Sequence, residues 1–201
     1  MSPGRRPETM KKMLDARCWM LGKKSSIQHL ASSIFSEEVP LKMPANEYRF
    51  MTNWSVEAPR ELLYEILKEG KDYPSWWPEV YLDASFSPSG REDHVGDQVK
   101  FLTKGWLPYR LNWTAEVVRH ERPHTIEIAA SGDFVGRGIW RLSPHGSGTD
   151  ITFDWQIRAD KPLLRWFSPI FKPIFKWNHG WAMARGFENL CREAKRRQAI
   201  S

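Results

Sequence analysis

The order of elements constrains this chain more than any single motif does. Tyr48, Phe50, Thr52, Trp54 and Val56 alternate with Arg49, Met51, Asn53 and Ser55, which predicts a strand with one mostly apolar face. Ala58-Pro59 then open a helix through Lys68, because proline suits a first helical turn and Leu62, Leu63, Ile66 and Leu67 form one stripe. Gly70 is read as its end, and the stretch from Lys71 to Val80, with Trp76-Trp77-Pro78, as one short turn of helix framed by prolines.

A run of strands follows, at Tyr81 to Phe86, Asp97 to Lys104, Arg110 to Val118, His124 to Ser131, Phe134 to Leu142, and around Ile151, Phe153, Trp155 and Ile157. Within it Gly136 and Gly138 predict a bend or bulge where the sheet curls. The chain closes on a long helix, about Pro169 to Arg197, whose front end Pro162, Pro169 and Pro173 are expected to break into shorter pieces. On that helix Ile170, Ile174, Trp177, Trp181 and Ala184 share one face, with Met183, Phe187, Leu190 and Ala194 beside it. Sequential antiparallel strands of this length make a curved sheet with one wet and one covered face. Wrapped around a single helix with space between, they form an α+β container.

The sequence of 201 residues suits one domain with an extension. Residues 1–46 are rich in Pro, Ser, Lys and Glu and keep no period beyond a weak basic helix at Met10 to Leu21, so they are expected to be a disordered extension. The domain is expected over 47–197, and Met43 is a candidate natural start just ahead of it. Cys18 and Cys191 give no disulfide framework, which suits a reducing compartment. The basic N-terminus lacks the apolar core of a secretory signal, and no stretch approaches the ~20 apolar residues of a membrane span. A cytoplasmic protein is expected.

The net charge of +6 is split along the chain. Residues 1–46 hold eight basic and four acidic side chains and 161–201 hold nine and two, while 47–160 hold thirteen basic and eighteen acidic. A basic tail, an acidic sheet and a basic closing helix do not make a nucleic-acid-binding face, and no nucleic-acid partner is expected. His120 and His124 are four apart, but Pro123 denies them a helical face, and the other histidines are scattered, so no metal site is expected. The glycines Gly136 and Gly138 fall inside a strand rather than in a phosphate-binding loop, and neither cysteine has a motif around it; no cofactor is expected.

The segments Asn53-Trp-Ser-Val-Glu-Ala-Pro59, Tyr73-Pro-Ser-Trp-Trp-Pro78, Gly132-Asp-Phe-Val-Gly-Arg-Gly-Ile-Trp140 and Lys176-Trp-Asn-His-Gly-Trp-Ala-Met-Ala-Arg-Gly-Phe187 lie in this same order. Over roughly 47–197 the chain resembles the helix-grip fold of the START-like (SRPBCC) superfamily, which includes polyketide cyclase/dehydrase-like and lipid-transport-like proteins. The resemblance implies an apolar ligand held between the sheet and the long helix. Its motifs are loose, and they speak for fold more than for function.

Eleven tryptophans give the residue-level candidates, since each indole offers a large apolar surface and one N–H donor. Trp54, Trp76, Trp77, Trp113, Trp140 and Trp155 are candidate cavity-lining residues, as are Trp177 and Trp181 on the helix and Phe101, Phe134 and Phe153 on the strands. The alternative is that these rings simply fill a core. Candidate polar groups are His179, as a general base or anchor, Asp133 with Arg137 beside the glycine-rich bend, and Tyr109 at a pocket mouth. Each has a plainer reading: a structural histidine off the Trp177/Trp181 face, outward salt links with Arg141, Asp150, Asp154 or Arg158, and loop packing.

Three functions compete. The leading one is non-covalent binding of a small hydrophobic ligand, lipid or polyketide-like. The second is a cyclase or dehydratase acting on a polyketide-like chain through His179, Tyr109 or Asp133. The third is transient contact with a membrane surface through residues 161–177, where Lys161, Arg165, Lys172 and Lys176 interleave with Trp166, Phe167, Phe171 and Phe175.

Overall fold

Every alternating stretch becomes a strand. The computed structural model describes residues 47–159 and 168–200, with side chains from 47 to 158 and from 173 to 200. The expected disordered extension at 1–46, and residues 161–167 with Pro162, lie outside the described residues. The strands are β1 (Glu47–Val56), β2 (Tyr81–Ser87), β3 (Gln98–Lys104), β4 (Arg110–Glu121), β5 (Thr125–Gly132), β6 (Phe134–His145) and β7 (Gly148–Ala159). They form one seven-stranded sheet in the order β1-β7-β6-β5-β4-β3-β2, antiparallel throughout. Consecutive strands from β2 to β7 are neighbours, and β1 closes the set by pairing with β7 from Glu47↔Arg158 to Val56↔Thr149. The sheet is curved, and its edges are β1 and β2.

Between β1 and β2 the chain makes α1 (Arg60–Lys68), a 3-10 turn (Gly70–Asp72) and α2 (Tyr73–Trp76). Glu61 in the first turn and Lys68 in the last complement the helix dipole of α1. Its inner face, with Leu63, Tyr64 and Ile66 fully buried, anchors the core at one end of the sheet. Burying a side chain of the Leu or Ile class contributes about 1.5–3 kcal/mol. Gly70 does not end the helix through a left-handed turn. It begins the 3-10 turn, where an added Cβ would lie 3.2 Å from the Phe101 ring and 3.3 Å from Val99.

The expected bulge at Gly136 and Gly138 is absent: β6 pairs with β7 without a register shift from Phe134↔Ala159 to His145↔Gly148. The register shifts lie instead in β2, between Tyr81 and Asp83, and in β4, between Val117 and Arg119. Gly138 is small for another reason. A Cβ there would come within 2.8 Å of the Trp155 ring and 3.0 Å of Phe153, so its absence lets two aromatic rings lie flat across the sheet.

The closing helix is α3 (Ser168–Gln198), continuous over 31 residues. Pro169 falls in its first turn, where the missing N–H has no helical partner to lose, and Pro173 removes one interior hydrogen bond without splitting the helix. Of the two stripes read on this helix, the one turned to the body of the protein is that of Met183, Leu190 and Ala194. Ile174, Trp177 and Ala184 are exposed, while Met183, Gly186, Leu190 and Ala194 are buried and Phe175, Asn178, His179 and Ala182 are partly buried. Trp181 and Phe187 flank this face, half-buried.

Candidate functional site: an aromatic cavity beneath the long helix

The inner side of the sheet carries a continuous series of rings. Cross-strand neighbours meet directly: Phe101 of β3 pairs with Trp113 of β4 at 4.9 Å between centroids, and Trp140 of β6 stacks on Phe153 of β7 at 3.9 Å. Trp155 continues the stack from Phe153 at 5.5 Å and closes on Trp113 at 5.7 Å, with Phe134 edge-on to it. Tyr73 of α2 joins at the far end, stacked 5.8 Å from Phe101. Contacts of this kind add about 0.5–1.5 kcal/mol each beyond the area they bury. They also hold the rings in fixed orientations.

Between these rings and α3 lies a cavity of about 220 Å³. Among the candidate rings it is lined by Trp77, Phe101, Trp113, Phe134, Trp140, Phe153 and Trp155. Trp54 and Trp76 are buried but pack in the core behind it, and Trp181 is half-buried outside it. Trp177 is half exposed and meets Trp106 of the β3–β4 loop edge to face, 4.5 Å away between centroids. Neither Trp177 nor Trp181 lines the cavity, because the helical period turns 178, 179, 182 and 183 toward it instead.

That rotation brings His179 to the cavity wall. Its ring stacks on Phe50 of β1, 4.2 Å away and 18° from parallel, and its Nε2 is buried without a hydrogen-bond partner among the described residues. Burial pushes its pKa down to about 4, so the imidazole is neutral at neutral pH. The Nε1 of Trp77 is likewise buried without a partner, whereas Trp113 donates its Nε1–H to Thr103 Oγ1 at 3.2 Å.

Tyr109 and Asp133 also line the cavity. Burial first, then the neighbouring Tyr48, raise the Tyr109 pKa. Asp133 accepts a hydrogen bond from the Asn112 backbone N–H at 2.8 Å, and its own N–H donates to the Asn112 carbonyl at 3.0 Å. Of the charged residues weighed for salt links here, Arg137 pairs with Glu127 at 2.7 Å, Asp154 with Arg49 at 3.0 Å, and Asp150 with His145 at 3.3 Å.

Several lining residues escaped the sequence reading. Tyr48 and Phe50 sit on the same face of β1 as Trp54, so the alternation carried their signal. Tyr73 is buried and Tyr81 partly buried, and desolvation raises the pKa of both; Tyr73 donates its hydroxyl to the Leu67 carbonyl at 2.6 Å. Asn178 had no signal at all. Its Oδ1 accepts from the Leu107 N–H at 3.2 Å, and it fits only because position 105 is glycine, where a Cβ would lie 2.1 Å from that oxygen. The β3–β4 loop is thereby clipped to α3 at one end of the cavity. Among the described residues no three His, Cys, Asp or Glu side chains cluster to hold a metal, and no helix is long and apolar enough to cross a membrane.

A family model described as "Polyketide cyclase / dehydrase and lipid transport" matches residues 49–195. No curated protein matches the chain significantly in sequence. Among solved structures, a START superfamily protein from Mycobacterium smegmatis superposes with a TM-score of 0.60 at 16% identity, covering 74% of this chain and 97% of that one. The Zhui aromatase/cyclase of a Streptomyces species gives 0.58 at 16% identity, covering 75% and 95%. A ginseng major latex-like protein from Panax ginseng gives 0.57 at 8% identity, covering 74% and 97%. At these identities the likeness is one of fold.

Proposed function

The chain belongs to the polyketide cyclase/dehydrase and lipid-transport family, and from that premise we propose that it binds a small, largely apolar molecule non-covalently in the cavity beneath α3. The observation that carries this reading is the cavity itself. Rings from six strands and from α2 surround it, and it is not filled by their side chains. Apolar area covered there would contribute roughly 25 cal/mol per Å², with His179, Tyr109 and Asp133 as orienting polar groups. A cytoplasmic setting belongs to the same reading.

The chemistry of the wall favours binding over a cyclase or dehydratase step. A general base works best with a pKa near the operating pH, and burial takes His179 to about 4 and raises the tyrosines. Native mass spectrometry of the full chain, followed by solvent extraction, is the test. A stoichiometric apolar compound carried through purification is the expected result. A protein that emerges empty, and whose tryptophan emission ignores a panel of hydrophobic aromatic probes, would overturn the reading.

A second reading has its own observation. Trp106 and Trp177 form an exposed pair, 59% and 50% accessible, beside exposed Lys176 and Ile174 at the loop end of the cavity. Indoles flanked by lysine suit a lipid interface, and a docking surface there would serve exchange of an apolar cargo. Co-sedimentation with phosphatidylglycerol vesicles should weaken in Trp177→Ser, and binding that ignores both the substitution and salt would remove this reading.

A further inference from the structure

The polar groups that line the cavity fall into two sets. Most are committed to the fold. Thr103 Oγ1 accepts from the Trp113 Nε1–H, Asn178 Oδ1 from the Leu107 N–H and Asp133 Oδ2 from the Asn112 N–H, while Tyr73 donates to the Leu67 carbonyl. Lys68 lies 3.9 Å from the Glu69 carboxylate, and Lys104 is exposed.

The second set holds nothing in place. Tyr81 of β2 and Tyr109 of the β3–β4 loop line the cavity, and neither hydroxyl has a hydrogen-bond partner among the described residues. Contacts with Tyr73, Trp77 and Phe101, at 4.9, 5.1 and 4.9 Å between centroids, fix the Tyr81 ring. Burial is the main cause that raises the pKa of both tyrosines, so both hydroxyls stand out of bulk water. The Nε1 of Trp77 and the Nε2 of His179, in the same wall, are buried without a partner among the described residues. Buried polar groups are as a rule hydrogen-bonded, because leaving one unpaired costs its full desolvation. An indole N–H can only donate and a phenol donates readily, so the missing partner is an acceptor.

We propose that the Tyr81 and Tyr109 hydroxyls are the specificity-determining donors of this cavity, selecting a flat ligand that carries an acceptor oxygen. The inference rests on the cavity being a ligand site. An apolar cavity of about 150 Å³ takes benzene, so 220 Å³ admits a molecule of one to two rings. The stacked rings of Trp140, Phe153 and Trp155 favour a planar one. An occupant without oxygen would cover both hydroxyls and leave them unpaired. Selection therefore falls on the acceptor and not on apolar area alone.

Equilibrium dialysis of the full chain against 2-acetylnaphthalene and 2-isopropenylnaphthalene tests this. The two share one planar shape, with a carbonyl oxygen in the first where the second has a methylene carbon. Apolar transfer alone favours the hydrocarbon, so the sign of the preference decides. The ketone should bind about tenfold more tightly, as two hydrogen bonds would give. Tyr81→Phe and Tyr109→Phe each keep the ring and remove a hydroxyl without a partner among the described residues. Each should cut the preference by about threefold, and together they should erase it. A hydrocarbon that binds as tightly as the ketone, or a preference that survives the double substitution, would overturn these donors while leaving the cavity as a binding site. Failure of both compounds to bind would overturn both.

Discussion

The two halves of α3 are built for different tasks. From Met183 onward the helix is bolted to the body of the protein: Leu190 and Ala194 are fully buried, Asn189 donates to Glu79 Oε2 at 2.6 Å, and Glu193 accepts from both Arg196 and Arg197 at 2.7 Å. From Pro173 to Trp181 it covers an empty space with half-buried Phe175, Asn178 and His179, leaves Trp177 exposed, and keeps one imidazole nitrogen unpaired. The former half pairs its polar groups, and the latter leaves the His179 Nε2 without a partner among the described residues. A helix that must hold the fold and still cover a binding space can separate the two duties along its length.

The largest expected effect tests the unsatisfied half. His179 titrates near 4 in the folded protein, against about 6.5 when unfolded. Because the folded value is the lower one, the unfolded state takes up the proton first as pH falls. Stability is therefore full above pH 6.5 and declines toward pH 4, by about 3 kcal/mol in all. Denaturant unfolding of wild type and His179→Gln across this range should show wild type losing stability that the variant keeps. Glu193, held at about 2 by Arg196, begins to lose its contribution only lower, as pH falls through the ordinary carboxylate range, so it leaves the upper part of this window clear. Parallel curves for the two proteins would show that the imidazole is not excluded from water.

Smaller effects of opposite sign should separate the two glycines of α3. At Gly186 a Cβ would lie 2.3 Å from the Trp77 ring, which is itself wedged among Trp54, Tyr73, Trp76 and Tyr81. Gly186→Ala should therefore cost about 1–3 kcal/mol through overpacking. At Gly180 the added methyl meets nothing, and Gly180→Ala should stabilise by up to about 1 kcal/mol through helix propensity. Thermal melts of the two variants check both signs, and equal effects would erase the distinction between the halves.

What was legible in the sequence follows the range of the interactions involved. The inward rings of β3, β4, β6 and β7 could be read because alternation is local: Trp113, Trp140, Phe153 and Trp155 needed only their own strands. The face of α3 could not, because apolar residues lie on both sides of it and Ile174 and Trp177 compete with Met183 and Leu190 for the same period. Whether His179 is buried depends on Phe50, which a strand far away in sequence supplies. The same holds for Gly105 and Asn178, each unremarkable until the fold places one on the other. Gly138 carried a true signal with the wrong cause, since the space it clears is for rings on the next strand and not for a bulge.

The ladder of rings from Trp140 through Phe153 and Trp155 to Trp113 has an optical consequence. Indoles at such short separations exchange excitation, so light absorbed by one need not be emitted by it. The sheet behaves as an antenna that drains toward its lowest-energy chromophore. An occupant that accepts energy from any rung would darken the whole array, and arrival of a ligand would be seen as a collective loss of emission.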